Sequence, residues 1–315
     1  VLVTGKGPVM LLAAKMAAVQ ALHSAALHLA SLPHLPPPAT SRFHPPPLPV
    51  QGFEVSCLLG TEPGMAEALI GDTSPPLTLL PVTGEGADPA AVEAACTSAA
   101  GLIIAFDGEE VVSEAALNVF MPAEGQDLKH VSLLSRNLNG EGMGFFAQAA
   151  KRAANAEIWT APPPICDAFR VMERQVTSRA AANGATHTVI RAGTLKGGGQ
   201  GGADSDSGGD KDFLAPAFYK LGQQDVVNWR MLFDCDTLGV VLKKGDVLPG
   251  PGFKAAFGAT SPEACAGDSG RGAVANALVE ALRCEAAAEA DFGVGTATGR
   301  ASPTPAEWKN LFANA

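Results

Sequence analysis

Short apolar runs alternate with helix-like stretches through about the first 190 residues, and no other feature of the chain constrains its fold as tightly. The strand-like runs are Val1–Thr4, Phe53–Leu59, Leu77–Val82, Leu102–Phe106, His130–Leu134 and Thr188–Arg191. Between them lie helix-like segments: Met10–Val19, Ala66–Ile70, Pro89–Ala100, Ser113–Phe120, Gly144–Ala156 and Asp167–Ala182. Continuous apolar runs suit strands covered on both faces, and helices between them imply parallel pairing. The pattern therefore predicts an α/β fold, a doubly wound parallel sheet of at least five strands beginning at Val1.

Two segments interrupt this rhythm and divide the chain. Residues 21–51 carry Leu-Pro-His-Leu-Pro-Pro-Pro and His-Pro-Pro-Pro-Leu-Pro, which suit neither a packed helix nor a central strand. They read as an insertion outside the sheet. Residues 196–212 are rich in glycine and read as a linker or loop. Residues 1–195 thus form the predicted α/β domain. Residues 213–315 form a less regular C-terminal region packing on the same domain, with an amphipathic helix over Arg271–Arg283.

Charge and cysteine usage remove several function classes. A formal net charge of −10 with no local basic cluster argues against nucleic acid as a partner. The six cysteines include no Cys-x-x-Cys pair, so they read as buried thiols rather than a disulfide framework or zinc site. The chain opens directly on its first strand. The uncharged stretch Met16–Leu32 is alanine-rich and broken by Gln20, His23, Ser24 and His28, so no transmembrane segment is predicted. His23, His28, His34 and His44 lie in the proline-rich insertion and read as solvated, and His187 as structural. Asp204, Asp206 and Asp210 lack the closing glutamate of a calcium loop, and Cys235 between Asp234 and Asp236 reads as structural.

The chemistry-bearing motif is at the start. The first strand runs into Gly5-Lys6-Gly7-Pro8-Val9-Met10 and then a helix, the context in which glycines and helix amides cradle a pyrophosphate. Gly5, Lys6, Gly7, Pro8 and Val9 are the candidate cofactor contacts. Met10 replaces the third glycine of the usual fingerprint, so it must fill that space or push the helix away. An acid after the second strand would bind the adenosine ribose, and Glu62 is the candidate. It lies 55 positions after Gly7, or about 24 once residues 21–51 are left out. NAD or NADP is the implied cofactor, with weak binding, and Glu62 favours NAD.

These pieces resemble an atypical short-chain dehydrogenase/reductase of the NAD(P)H-binding, NmrA-like kind, a group with plastid members. Val3-Thr4-Gly5-x-Gly7, the strand His130–Ser135, and Thr188-Val189-Ile190-Arg191-Ala192-Gly193 carry the likeness, together with Arg271-Gly272-Ala273-Val274-Ala275 later. The resemblance implies a Rossmann-like fold. It also implies a serine at the end of the fifth strand, matched by Ser135, and a Tyr-x-x-x-Lys on the next helix. That pair is absent. The family register puts Phe169 at the tyrosine and Glu173 at the lysine, and the only tyrosine, Tyr219, has Gln223 four residues on. Without a proton donor no catalytic residue is assigned. The expected function is that of a non-catalytic NAD(P)-binding-like subunit, scaffold or assembly factor with protein partners, in a chloroplast by resemblance. The alternative is an NAD(P)H-dependent reductase with an unconventional proton donor. Phe213, Phe218, Tyr219, Trp229 and Phe233 crowd one stretch and are the candidate partner surface.

Overall fold

The computed structural model describes residues 1–18, 54–60, 63–71, 77–108, 110–122, 126–137, 145, 149, 163–196, 239–247, 268–297 and 302–315. The expectations for residues 21–51, for Glu62, for most of the helix over Gly144–Ala156, and for the segment 197–238 lie outside these residues.

An eight-stranded sheet forms the centre. Its strands are β1 (Leu2–Lys6), β2 (Val55–Leu59), β3 (Leu77–Pro81), β4 (Gly101–Phe106), β5 (His130–Arg136), β6 (Thr186–Ala192), β8 (Gly239–Lys244) and β10 (Ala290–Ala297). They lie in the order β3-β2-β1-β4-β5-β6-β10-β8. All neighbours are parallel except β8, which runs antiparallel to β10 at the edge. The 3-2-1-4-5-6 order is that of a Rossmann-like doubly wound fold, with its topological switch point between β1 and β4. A second, two-stranded parallel sheet pairs β7 (Thr194–Lys196) with β9 (Asp268–Gly270).

Helices cover both faces because each central strand is apolar on both sides. Val3, Cys57, Leu59 and Ile103 point into one core, shared with a first helix α1 (residues 8–18), α2 (Pro63–Ile70), α6 (Arg271–Ala281) and α7 (Pro305–Asn314). Leu2, Leu58, Leu102 and Ile104 point into the other, against α3 (Pro89–Ser98), α4 (Glu114–Phe120) and α5 (Pro163–Ala182). Alternate residues of one strand thus feed opposite cores, the signature of a sheet buried between two helix layers.

The helix ends are set by local chemistry. Asp88 caps α3 by accepting from Ala90 N and Ala91 N, with Pro89 at the first helical position. Thr304 and Glu307 form a reciprocal capping box on α7. The long helix α5 stops at Gly184, whose φ of 70° lets Ala185 N bond back to Ala180 O at 2.9 Å. One expectation is corrected. The helix at Arg271 is not amphipathic, because every residue from Gly272 to Ala281 is buried. Its polar positions Asn276 and Glu280, which suggest a wet face in the sequence, lie inside the layer between the sheet and α7. Asn276 Nδ2 there donates to Ser302 Oγ at 2.7 Å.

Among the described residues no helix is long and apolar enough to cross a membrane.

Candidate functional site

The glycine turn after β1 sits at the switch point and is pressed against β4. Gly5 has φ 145°, and a Cβ there would lie 1.7 Å from Ala105 O. Gly7 has φ 101°, and a Cβ there would lie 2.7 Å from the Cβ and Cγ of Asp107. Pro8 opens α1, where its missing N–H removes no intrahelical bond. Met10 is buried in the core, so it fills the space that a third glycine would leave. Lys6 turns outward, and its ammonium pairs with Glu110 at 2.8 Å on the surface.

The residue that dominates this turn is one the sequence did not single out. Asp107 follows β4, and its carboxylate caps α1. Val9 N donates to Oδ1 at 3.0 Å and to Oδ2 at 3.1 Å. Asp107 N in turn donates to Lys6 O at 3.0 Å, and the guanidinium of Arg136 donates to Asp107 O. Arg271, at the start of α6, places Nε 3.6 Å from Oδ2. Burial pushes the Asp107 carboxyl up to about 6, against the opposing pull of Arg271, the Val9 N–H and Arg136. A dinucleotide diphosphate needs the amide at the start of α1 and the open space over Gly7. Asp107 takes both, so the cradle in this conformation does not fit a diphosphate.

The second part of the site lies at the ends of β5 and β6, where the family resemblance puts acid–base chemistry. Ser135 is buried on β5, and its hydroxyl donates to Glu173 Oε1 at 2.5 Å. Glu173, at the family's lysine position, is therefore brought to Ser135. Phe169, one turn earlier, is buried among apolar side chains of the α3–α5 layer. Glu173 is not an isolated negative charge. Arg191 of β6 grips it with two hydrogen bonds, Nε to Oε1 at 3.0 Å and Nη2 to Oε2 at 2.9 Å, and Arg170 pairs with it from one turn away on α5. Arg191 also pairs with Asp291 of β10, and Arg170 Nη2 reaches Asp246 Oδ2 after β8 at 2.5 Å. Burial alone would lower the Arg191 pKa, but the hydrogen bonds and charges of Glu173 and Asp291 outweigh it and raise the value. Burial likewise raises Asp246, opposed by Arg170 and Arg191.

The arrangement is a closed ion network that ties α5 to β5, β6, β10 and the end of β8. Each of its acids, Glu173, Asp246 and Asp291, is ion-paired with Arg170 or Arg191. Arg136 closes the top, donating to Gly193 O at 2.9 Å. Two guanidiniums, those of Arg170 and Arg191, compensate the Glu173 charge. Arg136, Arg170, Arg191, Asp246 and Asp291 were missed as a group. The one readable signal was Arg191 inside the Thr188–Gly193 motif.

Cys57, Cys96 and His130 are buried away from this site. Burial pushes the Cys57 thiol up to about 12 and Cys96 up to about 11, so both stay protonated. His130 begins β5 between two threonines, its Nδ1 2.7 Å from Thr186 Oγ1 and its Nε2 3.0 Å from Thr188 Oγ1. The Thr188 hydroxyl donates to Ala287 O at 2.6 Å and the Thr186 hydroxyl to Lys129 O at 3.2 Å, so His130 sits between two hydroxyls that each serve a backbone carbonyl. Burial and His187, opposed by Glu289, push His130 down to about 4.

His130 and Asp107 make opposing contributions to acid stability. A buried neutral histidine stabilises fully above the unfolded value of about 6.5, and this is lost as pH falls towards 4. The loss amounts to about 3 kcal/mol. Asp107 works in reverse, since its folded value lies above its unfolded one. The native state gains proton affinity, and about 3 kcal/mol, as pH falls from about 6 towards 4. Urea unfolding of His130→Gln and Asp107→Asn from pH 7 to 4 should separate them. Relative to wild type, His130→Gln should gain stability on acidification and Asp107→Asn should lose it. Parallel curves for all three proteins would exclude both assignments.

No protein-family model matches the chain, and no curated protein matches it. Solved structures similar to it include three that cover most of the chain. One is a wide-type short-chain dehydrogenase/reductase from Veillonella parvula in complex with NADP, at 14% identity and TM-score 0.41, covering 96% of this chain and 98% of that one. Another is the oxidoreductase YlbE from Lactococcus lactis, at 8% identity and TM-score 0.41, covering 98% and 95%. The third is Gre2 from Candida albicans in complex with NADPH, at 10% identity and TM-score 0.42, covering 93% and 77%.

Proposed function

We propose that this chain is a non-catalytic protein of NAD(P)-binding-like fold, acting through protein contacts as a subunit, scaffold or assembly factor. One observation carries the reading. The place where a short-chain dehydrogenase/reductase would hold its proton donor contains buried Phe169, and the serine beside it is spent on Glu173 within an ion network. A general acid must reach a substrate atom by a hydrogen bond. Phe169 has no proton to give, and Ser135 already donates its own. NAD or NADP binding, if retained, is weak on this reading. The proposal includes an atypical, NmrA-like ancestry, supported by the resemblance, and a chloroplast setting, supported by the resemblance and by an alanine-rich, lysine-poor composition.

The competing reading, a reductase with an unconventional donor, would have to use the Ser135–Glu173 pair. Purified protein incubated with NADPH and a panel of aldehydes and ketones should show no oxidation above background. The same protein, tagged in its native cell, should elute in a complex larger than a monomer, and Tyr219→Ala with Trp229→Ala should release it. A free monomer that oxidises NADPH would replace the proposal with the reductase.

A further inference from the structure

We infer that Asp107 closes the glycine cradle from within, its carboxylate standing where a diphosphate would sit, so that the chain rejects diphosphate-bearing dinucleotides and removing this one side chain admits them. The inference deepens the reading above and rests on it for the identity of the cradle.

Three observations converge on Asp107. Its two carboxylate oxygens both accept from Val9 N, at 3.0 and 3.1 Å, which is the bond that a phosphate oxygen would accept at this helix end. Its Cβ and Cγ fill the space over Gly7, so a phosphate would meet the side chain even if the amide were shared. It is held there from three sides, since Asp107 N is bonded to Lys6 O, the Arg136 guanidinium is bonded to Asp107 O, and Arg271 Nε lies 3.6 Å from Oδ2. The carboxylate itself is held over the turn by the Val9 N–H and by Arg271.

The chemistry of rejection is both steric and electrostatic. A diphosphate brings roughly two negative charges to within a few ångströms of a buried carboxylate, and the repulsion in such a site weakens binding by roughly 10²-fold or more. The same carboxylate neutralises Arg271, the cation beside the cradle that an incoming phosphate would otherwise meet first. Asp107 therefore supplies the helix cap that the fold needs while withholding the site from an exogenous anion. A helix that keeps its own anion gains the same dipole and amide bonding that the ligand would provide.

Calorimetric titration with NADP, and separately with inorganic pyrophosphate, tests this on wild type, Asp107→Asn and Asp107→Gly. Wild type should bind NADP no tighter than millimolar. Asp107→Asn, which removes the charge but keeps the bulk, should gain roughly 10²-fold, and Asp107→Gly, which removes both, should gain more. Thermal melts confirm which variants are folded. Should the glycine variant be too unstable, the amide resonance of Val9 in wild type provides the second measurement, and it should not move under several millimolar NADP. Micromolar NADP binding by wild type, a shifting Val9 amide, or no gain in any folded variant would overturn the inference. Assaying the same samples for NADPH oxidation separates the two proposals. Tight binding without turnover defeats only the closed cradle, whereas turnover by wild type defeats the non-catalytic reading.

Discussion

A protein carrying Phe169→Tyr together with Glu173→Lys, the pair that would rebuild Tyr-x-x-x-Lys on α5, is expected to lose its fold rather than gain an activity. Glu173 is buried and is the shared acceptor of Arg170, Arg191 and Ser135. Removing one partner of a buried ion pair costs about 3–5 kcal/mol, because the remaining charge stays desolvated. Here two guanidiniums would be stranded, and the lysine would add a third cation between them. Phe169→Tyr adds a hydroxyl to an apolar layer at a further cost of about 1–3 kcal/mol. The sum approaches the entire stability of an ordinary domain, about 5–15 kcal/mol. Urea unfolding of the two single variants and the double variant measures this directly. Glu173→Gln, which keeps the hydrogen bond to Ser135 and loses only the charge, should fall between wild type and Glu173→Lys. A double variant that melts like wild type, or that turns over NADPH, would show that the network is dispensable and the site still catalytic.

The parts of this molecule that were legible in the sequence are those decided locally. Six strands were visible because each is an apolar run set off by helix-like stretches; the structure lengthens four of them, as at His130–Arg136 and Thr186–Ala192, and trims the other two to Val55–Leu59 and Leu77–Pro81. The place of Glu173 at the family's lysine position was legible as a register on one helix, but its hydrogen bond with Ser135 was not. What the sequence does not carry is adjacency across the sheet. Arg170, Arg191, Asp246 and Asp291 come from four different elements, and they meet only because β10 inserts between β6 and an antiparallel β8. No local pattern announces that insertion. Asp107 was equally hidden. It reads as an ordinary turn residue after the run Leu102–Phe106, and it becomes the partner of Val9 only once β1 and β4 are neighbours. The helix at Arg271 misled for a related reason, since Asn276 and Glu280 look like a solvent face until α7 is laid over them.

Gly5 separates what the fold needs from what a ligand would need. Gly5→Ala is expected to cost about 4 kcal/mol or more, among the largest effects available to a single methyl group. The new Cβ would sit 1.7 Å from Ala105 O and 2.4 Å from Ala105 C, atoms of the backbone in the strand paired with β1. Neither atom can rotate aside, and φ 145° is itself a region that residues other than glycine avoid. Relief requires β1 and β4 to separate at the centre of the sheet. Gly184→Ala is the control, since that glycine also has positive φ, 70°, but nothing lies within 4 Å of its Cβ position, so it should lose only about 1 kcal/mol. Gly7→Ala distinguishes the two glycines of the turn. Its obstacle is the Asp107 side chain at 2.7 Å, not backbone, so part of its cost should vanish in an Asp107→Gly background, while the cost of Gly5→Ala should not change. Thermal or urea unfolding of the four single variants and the two doubles completes the cycle. If Gly5→Ala melts within a few degrees of wild type, the close approach of β1 to β4 is wrong. If instead the expected pattern holds, the first glycine is required by strand packing with no phosphate present, and a glycine-rich turn in this chain ceases to be an argument for a bound cofactor.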